Sequence, residues 1–127
     1  MNHLHHILLV ALGGAAGSVL RWYLPRLLLS DHCHTFPWGT ALVNVSGCLL
    51  IGFFYGLFTH HNDANDALKL LLMVGFCGGF TTFSTFCNES LALLRQQQFF
   101  EMACYVSGSV FLGLLAVYGG MQVAKWI

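Results

Sequence analysis

Three kinds of side chain in this sequence, and one stretch of backbone, can meet a small ion. Hydroxyls come from Thr40, Thr82, Ser84, Thr85, Tyr105 and Ser109, and a carboxamide from Asn44. Ring edges come from Phe83 and Phe86, and backbone carbonyls from the neighbourhood of Gly78-Gly79. Hydroxyls and amides replace water around an anion by donating hydrogen bonds. An aromatic ring has a negative face and a positive edge, so ring edges hold an anion weakly. Conduction needs that compromise, because an ion held tightly does not leave. Backbone carbonyls suit a hard cation instead.

The densest of these groupings is Gly75 to Phe86, in which two adjacent glycines precede four hydroxyl residues and three phenylalanines. It lies inside an otherwise apolar segment. Glycine and short hydroxyl residues make a poor helix interior. The spacing predicts a helix that breaks at Gly78-Gly79, with Phe80 inside the break and Phe83 and Phe86 sharing one face of a resumed helix. In lipid, freed backbone groups need partners in the protein or in a wet cavity, so the break implies an ion or a substrate.

Asn44 sits in the middle of another apolar segment, four residues after Thr40 and close to Ser46 and Gly47. A buried amide must be hydrogen-bonded. Two readings stay open: a clamp between helices, or a donor to a dehydrated anion. Tyr105 and Ser109 stand four apart and share a helix face, while Ser107 points elsewhere. Arg21 is the one basic residue well inside an apolar segment. It either shapes the field of an anion vestibule or serves structure, and its stem is long enough to snorkel. Glu89, just past the phenylalanines, bounds the pathway or bonds a hydroxyl. Neither Glu89 nor Glu101 has an acid partner, so paired-carboxylate catalysis has no support and no enzyme is expected.

The elements that must position these groups are membrane helices. The chain has 127 residues, 57% hydrophobic and 8% charged, with mean hydropathy +0.70. So few charges cannot cover a surface facing water. Formal net charge is zero and no basic patch exists, which excludes nucleic acid as a partner. A helix crossing a bilayer needs about 20 apolar residues. Four segments qualify: about 4–29, interrupted by Arg21 and Pro25; 38–58, entered through Pro37; 67–94; and 99–123. The connections are too short for any soluble domain, so residues 1–127 form a single integral membrane domain.

Small residues recur four apart at Gly13/Gly17, Gly52/Gly56, Gly75/Gly79 and Ser109/Gly113, a spacing that lets helices approach closely in lipid. Four short helices enclose little volume, so a second copy of the chain is expected. Lys69 and Lys125 fall near one side of the membrane, and Arg26 and Arg95 near the other. The positive-inside rule is then almost balanced. This balance predicts insertion in both orientations and antiparallel pairing.

Five cysteines, Cys33, Cys48, Cys77, Cys87 and Cys104, follow no disulfide spacing and read as structural. His3, His5, His6, His32, His34, His60 and His61 lie in loops or at helix ends, with no metal-ligand spacing. The apolar run His6–Leu20 lacks the basic residues that precede a signal-peptide core.

With these residues in view, the chain resembles the small fluoride channels called Fluc or CrcB over nearly its whole length. The resemblance rests on Gly13 to Trp22, on Gly39 to Gly47 and, most specifically, on Gly75 to Phe86. It implies an all-α membrane protein of four helices with the third broken at mid-membrane, forming an antiparallel dual-topology homodimer in the cell inner membrane. It implies passive, fluoride-selective efflux through two pores that relieves fluoride toxicity. A structural sodium ion would lie at the dimer centre, held by the carbonyls of Gly78 and Thr81. Phe83 and Phe86 would line the pore, Asn44 would be the pore amide, and Tyr105, Ser109 and Thr40 would form a polar track. The family pattern often places a further hydroxyl where this chain has Gly113.

The rival reading is a proton-coupled antiporter of the small multidrug type, also a four-helix dual-topology dimer. That chemistry needs an acid embedded in the first helix, where this chain has Arg21 and neither Asp nor Glu. A subunit without transport activity is a third reading, opposed by a helix break that brings no packing return.

Overall fold

The structure, a computed structural model, describes residues 2–29, 36–61 and 65–127. It is all-helical. The helices are α1 (His3–Leu28), α2 (Trp38–His60), α3 (Asp66–Lys69), α4 (Gly78–Phe80), α5 (Phe83–Arg95) and α6 (Phe99–Lys125). A π-helix, Leu70–Cys77, joins α3 to α4 without a gap. Four spans result that are long and apolar enough to cross a membrane: α1, α2, the run Asp66–Arg95, and α6. Cys33, His32 and His34 lie outside the described residues.

Side chains start these helices where the sequence supplies a cap. Asn2 Oδ1 accepts from the His5 amide at 3.0 Å and Asn65 Oδ1 from the Ala67 amide at 3.0 Å. Each satisfies one of the amides that a helix start leaves unpaired. α1 runs unbroken through Arg21 and Pro25. A proline costs a helix its own amide bond and crowds the carbonyl four residues back. Here it falls in the last turn, where little helix remains to disrupt. The Arg26 guanidinium donates to Trp22 O at 2.6 Å and lies 4.3 Å over the Trp22 ring, tying that turn together.

Two glycine seams hold the bundle. In the first, α1 crosses the π-helix and α4. A Cβ on Gly79 would stand 2.6 Å from Gly14 O, and one on Gly75 3.0 Å from both Gly13 Cα and Val10 O. Gly13 and Gly17 are equally closed, against the backbones of Leu71, Phe76 and Phe80. In the second seam, Gly52 of α2 meets the Val117 backbone and Gly120 of α6 meets Leu49 O, with Gly56 against Ala124 and Met121. Without a hydrophobic force between helices in lipid, such close backbone approach is what holds them. The fourth-helix residues in this seam are Gly120 and Ala124. The expected pair Ser109/Gly113 lies further along the same α2–α6 interface, where a Cβ on Gly113 would make only ordinary contact, with Cys48.

Gly78 and Gly79 are helical, and so is Phe80, which is buried. The extended residues come later, at Thr81 (φ −86°, ψ 157°) and Thr82 (φ −147°, ψ 118°). The double glycine is thus part of the α1 seam, and the interruption follows one turn downstream.

Candidate functional site

Thr82 is held by one side chain from α2. Its amide donates to Asn44 Oδ1 at 2.8 Å, and its carbonyl accepts from Asn44 Nδ2 at 3.0 Å. Asn44 therefore pairs with extended backbone as a neighbouring strand would. Asn44 thus bridges α2 to the extended segment, as the clamp reading expects, and the donor reading stays open. Nδ2 carries two hydrogens, and this contact uses one of them.

The clamp has a consequence for two carbonyls. In a continuous helix the Thr82 amide would bond Gly78 O, and the Thr85 amide would bond Thr81 O. The first goes to Asn44 Oδ1, and the second to Thr82 Oγ1 at 3.3 Å, where Thr82 caps α5. Gly78 O and Thr81 O both lose their helical donor. A Cβ on Gly78 would meet nothing within 4 Å, so the space on that side of the residue is open. Thr82 Oγ1 also donates to Thr85 Oγ1 at 3.1 Å and lies 3.4 Å from Ser84 Oγ.

A second cluster joins three helices. Glu89 of α5 accepts from Thr40 Oγ1 of α2 at 2.8 Å and from the Tyr105 hydroxyl of α6 at 3.1 Å, one donor on each carboxylate oxygen. Tyr105 is buried. Its ring lies 5.0 Å from that of Phe86 and 5.4 Å, edge-on, from that of Phe36. Phe86 in turn lies 6.0 Å from Phe83. The expected helix face shared by Phe83 and Phe86 is present, but the two rings differ sharply in setting: Phe86 is half-buried and Phe83 is 78% exposed.

A cavity of about 630 Å³ connects much of this. Asn44, Phe83, Phe86, Ser109, Gly78 and Thr81 all line it, and most of its lining is apolar. Thr40, Tyr105 and Glu89 form their own cluster next to Phe86. Arg21 is half-buried and makes no hydrogen bond or ion pair among the described residues. Ser46 turns back to its own helix, donating to Leu42 O at 2.7 Å, and Ser107 likewise to Ala103 O. Sequence reasoning missed Phe36 as an edge-on neighbour of Tyr105, and Cys48 and Cys77 as cavity-lining residues. For Cys48 a signal existed, since it stands four residues beyond Asn44. Among the described residues no cluster of three His, Cys, Asp or Glu could hold a metal ion.

Four spans of this kind around a polar interruption define a small multi-pass membrane protein. Residues 8–121 match the family described as CrcB-like protein, Camphor Resistance (CrcB). The chain belongs to this family. A Flavobacterium psychrophilum protein named fluoride-specific ion channel FluC is 47% identical over 120 residues, covering 94% of this chain and 96% of the relative. Proteins of the same name from Phocaeicola vulgatus and Rhizobium johnstonii are 47% and 44% identical. They cover 94% and 93% of this chain, and 98% and 94% of their own lengths.

Proposed function

We propose that this protein is a fluoride-selective ion channel giving passive efflux, with two pores in an antiparallel homodimer of the cell inner membrane. The observation that carries this reading is the cavity where Asn44 and Ser109 meet Phe83 and Phe86 beside the helix interruption. Fluoride is small and strongly hydrated, and removing its water is costly unless donors replace it. Asn44, through the second hydrogen of Nδ2, and Ser109 supply such donors, and the two phenylalanines supply weak positive edges. Thr40 and Tyr105 give their single hydroxyl hydrogens to Glu89 and would serve the anion only by exchanging that partner for it. Arg21 adds positive potential to the vestibule. Glu89 orients the Thr40 and Tyr105 hydroxyls at one end of the pathway.

The dimer reading draws support from Phe83, a large apolar ring exposed beside a cavity, and from the open space at Gly78. The balance of Lys69 and Lys125 against Arg26 and Arg95 supports dual topology. The third span would break at mid-membrane, at Thr81-Thr82. A structural sodium ion fits Gly78 and Thr81, because carbonyl oxygens freed from helical bonding are ligands a hard cation prefers. One chain offers two such oxygens and an antiparallel pair offers four. The ion would join the two copies.

Expression in a bacterium lacking its own fluoride exporter tests the reading. Growth restored in millimolar fluoride supports it, and growth no better than that of the empty strain contradicts it. Reporters fused to the C-terminus are expected on both faces of the membrane, and a reporter confined to one face would remove dual topology.

A further inference from the structure

Three rungs run along the groove between α2 and α6. Thr40, Asn44 and Cys48 stand four apart on α2, and Tyr105, Ser109 and Gly113 four apart on α6. Glu89 bridges the first rung by binding Thr40 and Tyr105. Asn44 and Ser109 form the second and share the cavity of about 630 Å³. The third differs in make. Cys48 lines that same cavity, and a Cβ on Gly113 would stand 3.4 Å from its Sγ. The thiol therefore lies against bare backbone and is the rung's single side-chain group.

Resting on the channel reading above, we propose that Cys48 is a pathway-lining residue of the ion route, the third rung after Thr40/Tyr105 and Asn44/Ser109. An S–H is a weak donor. Placed beyond a carboxamide and a hydroxyl, it holds a passing anion less tightly than they do, and passage requires a last contact that releases. Gly113 presents no side chain to this rung, and a Cβ there would make only ordinary contact with the thiol.

Mercuric chloride on reconstituted protein tests the assignment. The thiol gives up its proton and the reagent one chloride as the S–Hg bond forms, leaving a bulky adduct on the cavity wall. Each protein's fluoride flux is compared with its own untreated flux. The unaltered protein is expected to lose about tenfold or more, as a plugged single-file route would. Cys48→Ala should lose this sensitivity. Cys77→Ala should keep it, because Cys77 touches the same cavity yet is only 1% exposed. Sensitivity that survives in Cys48→Ala, or is absent from a conducting unaltered protein, overturns the inference alone. An unaltered protein that carries no fluoride before treatment overturns the channel reading and this inference with it.

Discussion

Asn44 holds Thr82 by both of its backbone groups, accepting from the amide at 2.8 Å and donating to the carbonyl at 3.0 Å. The pair spans 38 residues of sequence and fixes the point at which the third span stops being a helix. A clamp of two half-buried bonds is worth more when broken than when made, because truncation leaves the other partner unsatisfied. Asn44→Ala strands the amide and the carbonyl of Thr82 together, at about 1–3 kcal/mol for each unsatisfied group. We expect a clear drop in the melting temperature of the detergent-solubilised protein. Asn44→Asp keeps the acceptor and should recover part of it. Equal melting of Asn44→Ala and the unaltered chain would show that the clamp does not hold the interruption.

Glu89 predicts coupling between two helices that do not share a motif. Thr40→Val and Tyr105→Phe each remove one donor from the carboxylate, and hydrogen bonds to charged groups are worth about 1.5–3 kcal/mol. Because the two donors meet one carboxylate, their effects on fluoride flux should be non-additive in a double-mutant cycle. Strict additivity would mean that the shared carboxylate does not link them.

Phe83 and Phe86 should separate by stability and not by flux. Phe86 packs 5.0 Å from the Tyr105 ring, and such aromatic pairs contribute about 0.5–1.5 kcal/mol beyond their burial. Phe83 is 78% exposed on one chain. Phe86→Ile is therefore expected to lower the melting temperature of the protein, while Phe83→Ile changes it little unless a second copy covers that ring. Both are expected to slow fluoride flux, and the double substitution to slow or abolish it. Full flux in the double variant would remove both rings from the pathway.

Adjacent glycines should respond in opposite ways. At Gly79 a Cβ would lie 2.6 Å from Gly14 O, whereas at Gly78 it would meet nothing within 4 Å. Overpacking a fitted seam costs about 1–3 kcal/mol. Gly79→Ala should thus reduce the yield of folded protein on size-exclusion chromatography, and Gly78→Ala should leave that yield unchanged, with any shift in its elution position reporting a second copy packed there. The reverse order would misplace the α1 seam.

The four spans were legible because uninterrupted apolar length has one ready explanation in so uncharged a chain. The interruption was legible as a composition but not as a position. Gly78-Gly79 reads as the weak point by helix propensity alone, yet those glycines are recruited for close packing against Gly14, and tertiary packing overrides propensity. What sets the true position is a side chain 38 residues away, and no local pattern carries that. Local spacing also could not show that Glu89 gathers Thr40 and Tyr105, since those contacts span 49 and 16 residues. The π-helical stretch Leu70–Cys77 had no signal either, being a plain apolar run. Thr40, Asn44, Tyr105 and Ser109 were legible as candidates, because polar groups four apart inside apolar helices must share a face and find partners.

The central claim is selectivity for fluoride, and one measurement addresses it directly. Purified protein is reconstituted in liposomes loaded with equal fluoride and chloride, a potassium shunt is opened, and both anions are followed by electrodes. The account predicts fast fluoride efflux with chloride retained near the level of protein-free liposomes. Equal efflux of the two anions, or none of either, would contradict it.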